Sequence, residues 1–184
     1  SNFSIRRAEF LKSKEDRTPH WRSILGEVMD PWFGAELINP EEYARSILNV
    51  FVKSILCPPR KVDVLGCKEI HFHESGPFFE ENMNIILKYF PNSKIIFLTR
   101  SIDSVVKSGW WRDQDENMVR QHLSDANEKF GAFHKKNKDL SMVIDYSCFA
   151  KGSDGLVGLF EFLDEELDRD KAEEVLSRRL MHLA

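Results

Sequence analysis

Four consecutive apolar residues, Ile95-Ile96-Phe97-Leu98, follow the turn signal Pro91-Asn92 and run straight into Thr99-Arg100 and a helical pattern. An uninterrupted apolar strand is expected to be covered on both faces, which is the habit of parallel strands in α/β folds. Lys94–Thr99 is therefore predicted to be a buried strand. The rest of the chain agrees, because apolar runs alternate with helical patterns.

Asn39-Pro40-Glu41-Glu42 is a strong helix start, with Asn39 as N-cap, Pro40 in the first turn and Glu42 reaching back as in a capping box. Tyr43, Ile47, Leu48, Phe51, Val52 and Ile55 then share one helical face, and Cys57-Pro58-Pro59 ends it. Phe3–Arg6, Val62–Leu65 with Cys67–Phe72, and Leu140–Tyr146 read as extended segments. Helices are predicted over Phe78–Tyr89, Ile102–Ser108, Met118–Lys136, Gly155–Leu163 and Asp170–His182. Glu9–Gly26 shows no clear period.

At 184 residues with a net charge of -4, the chain gives no global electrostatic case for nucleic acid, so any anion site must be local. Asp164–Asp168 and Lys135–Lys138 read as solvated helix ends or loops. The cysteines Cys57, Cys67 and Cys148 lack metal or disulfide spacing. Reduced, mostly buried thiols and a cytoplasmic location are expected. No apolar run is long enough to span a bilayer, and no signal peptide is evident.

Ligands in parallel sheets bind beyond the carboxyl ends of the strands. Arg100 stands there, and Ser108 follows eight residues later, about two helical turns on. A guanidinium can fork onto a phosphate, and a serine hydroxyl can donate to the same group. The spacing alone favours the plainer reading, in which Arg100 pairs with a carboxylate such as Asp103 and Ser108 is an ordinary helix residue.

The segment FPNSKIIFLTRSIDSVVKSGWW resembles the 3′-phosphate-binding segment of the sulfotransferase family. FSIR, PWFGAELINPEEY, VLGCKEIHF, and MVIDYSCF with LFEFLD are similar, in order, to other stretches of its bacterial members. The resemblance spans roughly residues 3–180. It implies a single P-loop-like sulfotransferase domain over residues 1–184, three-layered, with a central, mainly parallel sheet flanked by helices. It also implies PAPS (3′-phosphoadenosine 5′-phosphosulfate) as donor and PAP (adenosine 3′,5′-bisphosphate) as product. The acceptor would be a hydroxyl or amine of a glycan, lipid or small metabolite, and no metal would be needed.

Arg100 and Ser108 would hold the 3′-phosphate, Tyr146 would lie near the adenine, and Trp110 would stack a base or wall the acceptor pocket beside Trp111. The family's 5′-phosphosulfate loop has no counterpart here, since Ser75-Gly76-Pro77 and Lys151-Gly152-Ser153 do not follow strands of the right pattern. Family order places that loop roughly 20–30 residues before FSIR, so the first strand and loop are expected upstream of Ser1.

Lys68, Glu69 and His71 are the candidate catalytic residues. If Cys67–Phe72 is a strand, Lys68, Ile70 and Phe72 share one face and Glu69, His71 and His73 the other. Glu69 ranks slightly ahead of His71 as base, and Lys68 would steady developing charge. His73 and Glu74 are weaker candidates. His20, His122, His134 and His182 are scattered without metal spacing. Arg178 and Arg179 fit a helix-end charge pair better than the family's basic segment, and Trp32-Phe33 fits core better than acceptor site. Arg17–Glu36 and Trp110–Leu123 are candidate acceptor loops.

Two other readings stand beside the enzyme. One is a non-catalytic nucleotide-binding or interaction module that keeps the fold. The other is a different P-loop transferase, which would need a magnesium-holding aspartate. Asp103 and Asp145 are the candidates, though neither ends an apolar strand in the way such a site requires.

Overall fold

The computed structural model describes residues 38–178. The readings of Phe3–Arg6, Glu9–Gly26, Arg17–Glu36, Trp32-Phe33, His20, Arg179 and His182 lie outside them. The chain divides into two compact units, Ser1–Ile70 and His71–Ala184. The described part is α/β and mostly helical, with a small parallel sheet of two strands.

In the first unit, α1 spans Pro40–Phe51. The Asn39 carboxamide oxygen accepts from the backbone N–H of Glu41 at 3.1 Å and of Glu42 at 3.4 Å. Only this half of the capping box forms; Glu41 pairs with Arg45 one turn on, at 2.8 Å. Ala44 is fully buried, and Tyr43, Ile47 and Leu48 are half-buried. The helix widens into a π turn over Val52–Leu56 and stops where Cys57 turns left-handed before Pro58.

The expected strand over Val62–Leu65 and Cys67–Phe72 is not formed. The backbone is irregular up to His71, and a 3-10 segment begins at Phe72. Val62, Val64, Leu65 and Ile70 are all exposed. A strand is stable when its backbone pairs and one face is covered, and among the described residues this segment gains neither. The face assignment that grouped Glu69 with His71 and His73 therefore fails.

The second unit opens with that 3-10 segment, Phe72–Phe78, which kinks at Gly76 (φ 59°) ahead of Pro77. It leads into α2, Phe79–Tyr89. Then follow β1 (Ile95–Thr99), α3 (Ile102–Val105), a 3-10 turn (Gly109–Asp113), α4 (Glu116–Lys136) and β2 (Ser141–Asp145). A 3-10 stretch, Tyr146–Leu156, then joins β2 to α5 (Val157–Leu163) and α6 (Arg169–Ser177).

The strands pair in parallel, with Ile95 opposite Ser141 and Thr99 opposite Asp145. Phe97 points into an aromatic core with Phe79 and Met83 of α2 and Phe133 of α4. Phe97 stacks on Phe130 at 4.7 Å between centroids, and Phe133 meets Phe97 edge-on at 5.8 Å. These are favoured ring geometries, each worth about 1 kcal/mol beyond area burial. The opposite face carries Met142 and Ile144, where Ile144 is buried and Met142 borders Gly158 of α5.

Coverage of β1 is one-sided. Phe97 is buried, while Ile96 and Leu98 stay 39% and 49% exposed. The expectation of a strand buried on both faces is thus corrected: α2 and α4 cover one face, and α5 shields β2 on the other.

Candidate functional site

The carboxyl ends of the paired strands bring two predicted residues together. Arg100 follows Thr99 and Tyr146 follows Asp145, and those two strand-end residues are register partners. The Arg100 guanidinium carbon lies 5.3 Å from the Tyr146 ring centroid. Such a contact holds the planar cation over the ring while leaving its N–H edge open.

Arg100 has no carboxylate partner among the described residues. Asp103, the alternative partner, is held by Arg120 at 2.7 Å, and Arg120 also takes Glu116 at 2.7 Å. Asp145 ends β2, inside the segment Leu140–Tyr146 expected to be extended, and its carboxylate accepts from the Ser147 backbone N–H at 2.9 Å. Hydrogen bonds from Ser147 hold the Asp145 carboxyl below its usual range.

Ser108 is not helical. The helix after Arg100 is only Ile102–Val105, and Ser108 is extended (φ -117°, ψ 146°) ahead of Gly109, whose φ is 53°. Its hydroxyl donates to the Val105 carbonyl at 2.9 Å. To donate to a phosphate it must give up that bond. Lys107 is exposed beside it. Trp110 is 57% exposed on the Gly109–Asp113 turn, so it is not core.

Lys68 and Glu69 lie in the first unit, exposed on irregular backbone. His71 opens the second unit, and its Nδ1–H donates to the Glu74 carboxylate at 3.0 Å. That bond is the main reason the Glu74 carboxyl sits below its usual range.

A histidine pair is the arrangement sequence reading missed. His73 Nε2 lies 2.7 Å from His122 Nε2 of α4. The rings meet at 4.7 Å with a 65° interplanar angle. Phe130 packs edge-on to His73 at 6.2 Å, and Trp111 lies 5.8 Å from His122. Lys129 Nζ donates to the His73 carbonyl at 2.9 Å. Burial first, then the His122 charge, pushes the His73 imidazole below its usual pKa. Part of this was legible: Val119, His122, Ala126, Phe130 and Phe133 recur at helical spacing on one face of α4, so His122 belongs to a buried stripe. Its partner, 49 positions away, carries no such mark.

No protein family, curated protein or solved structure matches this chain. Its chemistry is therefore read from the residues. A guanidinium at a strand end, with no carboxylate partner among the described residues, suits a phosphate or sulfate oxygen pair. The neighbouring ring offers a face for a flat group.

Among the described residues no helix is long and apolar enough to cross a membrane. All three cysteines are free, but Cys57 and Cys67 are exposed, which corrects the expectation of mostly buried thiols. Arg178 pairs with Glu174 one turn back, as a helix-end pair. A shallow depression along α4, lined by Ser124, Glu128 and Lys135 among others, contains none of the predicted site residues.

Proposed function

We propose that this chain binds the 3′-phosphate of PAPS through Arg100 and acts as a sulfotransferase on a hydroxyl or amine of a carbohydrate, lipid or small metabolite. One observation carries the reading. The Arg100 guanidinium stands at the carboxyl end of β1, without a carboxylate partner among the described residues, over Tyr146 at the end of the neighbouring parallel strand. The ordered sequence resemblance to sulfotransferases adds the donor's identity.

In this reading Arg100 takes two phosphate oxygens through its forked N–H groups, and Tyr146 packs beside the nucleotide. Ser108 turns its hydroxyl from Val105 to the phosphate, and Trp110 walls the acceptor side. The acceptor oxygen attacks sulfur as the bond from sulfur to the 5′-phosphate oxygen breaks. Of the candidate bases, His71 belongs to the same unit as Arg100, and it takes the acceptor proton.

Calorimetric titration of PAP into the full chain tests this. Arg100→Ala is expected to weaken binding about 30-fold, the equivalent of about 2 kcal/mol for a lost charge-assisted hydrogen-bonded pair. Equal affinity in wild type and variant overturns the reading. His71→Gln is expected to bind PAP normally and lose turnover; retained turnover removes His71 as the base. The irregular backbone at Lys68 and Glu69 favours one second reading, a non-catalytic nucleotide-binding module. PAP binding without sulfuryl transfer by the full chain would select it.

A further inference from the structure

We propose that His73, Glu74 and His122 form a binding site for a divalent transition metal of the zinc class. His73 and His122 each offer Nε2, and Glu74 offers a carboxylate oxygen. One ligand atom from each of the three residues lies within 4.8 Å of the others. Two imidazoles and a carboxylate are a three-ligand zinc set that leaves a fourth position for water. The same donors suit cobalt and nickel, which compete by availability and geometry.

The ring nitrogens now stand 2.7 Å apart, the length of a strong N–H···N bond. Ligands of a tetrahedral zinc at ordinary bond lengths stand about 3.3 Å apart. Separating them by a few tenths of an ångström needs only small side-chain rotations, and the Glu74 carboxylate is exposed enough to swing in.

The surroundings hold the donors in place. His122 sits in the second turn of the 21-residue α4, on the stripe that carries the aromatic core. His73 sits on the 3-10 turn ahead of Gly76, its carbonyl tied to Lys129 of the same helix and its ring against Phe130. His71 donates to one oxygen of Glu74, the kind of outer contact that orients a metal-binding carboxylate. Trp111 shields one side of His122. The Lys129 ammonium opposes a second cation here, and the Glu74 carboxylate offsets it. A bound metal would tie the Phe72–Phe78 turn to α4 across 49 positions of chain. The assignment uses none of the residues that contact Arg100, so it stands or falls separately from PAPS binding.

The test uses the full chain, stripped of metal with a chelator and with its thiols alkylated. Zinc is titrated by calorimetry, and cobalt is followed by the visible bands of a four-coordinate ion. One equivalent of each is expected. His73→Gln and His122→Gln should each weaken zinc binding roughly 100-fold and abolish the cobalt bands, and Glu74→Gln should weaken it about 10-fold. Failure of the wild-type chain to bind zinc overturns the proposal, as does zinc binding that neither histidine substitution changes. Far-UV circular dichroism checks that the variants fold. If the histidine variants do not, the surface variant Glu74→Gln decides: unchanged zinc affinity overturns the site.

Discussion

Two glycines between β2 and α5 hold positions where an added Cβ is crowded or strained. A Cβ at Gly155 would lie 1.8 Å from the carbonyl oxygen of Cys148. That oxygen is backbone and cannot swing aside, so the loop itself would have to move. Gly155→Ala is expected to cost about 3 kcal/mol, read as a lower urea midpoint with an unchanged slope. At Gly152, with φ at 66°, a Cβ would meet the Glu173 carboxylate instead. Glu173 accepts from the Ser153 backbone N–H at 2.6 Å, which holds its carboxyl below the usual range. Because the folded pKa is depressed, this stabilisation is present above the unfolded carboxylate pKa, about 4.3, and is lost as pH falls through the folded value. The gap in Tm between wild type and Glu173→Gln should therefore shrink as pH drops from about 6 to about 3. A gap that widens with acid would rule this account out.

At the scale of elements, Lys94 does more than precede a strand. Its ammonium donates to the Phe162 carbonyl at 2.8 Å and to Asp164 at 3.1 Å, and it lies 4.8 Å from the Phe162 ring centroid. It thus caps the C-terminus of α5, where unpaired carbonyls and the helix dipole favour a cation. Lys94→Met keeps the aliphatic stem and is expected to lose about 1 kcal/mol in thermal or urea unfolding. Asp164→Asn should lose only a few tenths, since Asp164 is 81% exposed and its share of the pair is screened. Asp164 also adopts φ 58° as the C-cap, so Asp164→Gly should stabilise by about 0.5 kcal/mol if relief of backbone strain outweighs the lost pair. Ser141, fully buried at the start of β2, donates to the Asn137 carbonyl at 2.8 Å, the same oxygen that accepts the Ser141 backbone N–H at 2.9 Å. That double use closes the turn between α4 and β2 and fixes where the second strand begins.

At the scale of the whole molecule, the aromatic core of Phe79, Met83, Phe97 and Phe133 belongs entirely to the unit His71–Ala184. Expressed alone, that unit is expected to unfold cooperatively in urea, with one midpoint shared by circular dichroism and tryptophan fluorescence. A non-cooperative transition would mean that its core needs Ser1–Ile70. The elements legible in the amino-acid order were those whose signals are local. Asn39 caps α1, the spacing of Phe79, Met83, Ile86 and Leu87 marks α2, and the strands Ile95–Thr99 and Ser141–Asp145 lie within the apolar runs that announced them. Arg100 after the first strand was legible for the same reason. The segment Val62–Phe72 was misread because a strand is a pairing, and apolar composition names no partner. Ser108 was misread because the helix before it ends at Val105, three residues short. Only the tertiary structure placed Arg100 over Tyr146, gave Asp103 to Arg120, and set His73 against His122. Those contacts join residues 46, 17 and 49 positions apart. Capping and periodicity act within a turn or two of chain, whereas such contacts depend on how the strands register and which helix face packs inward.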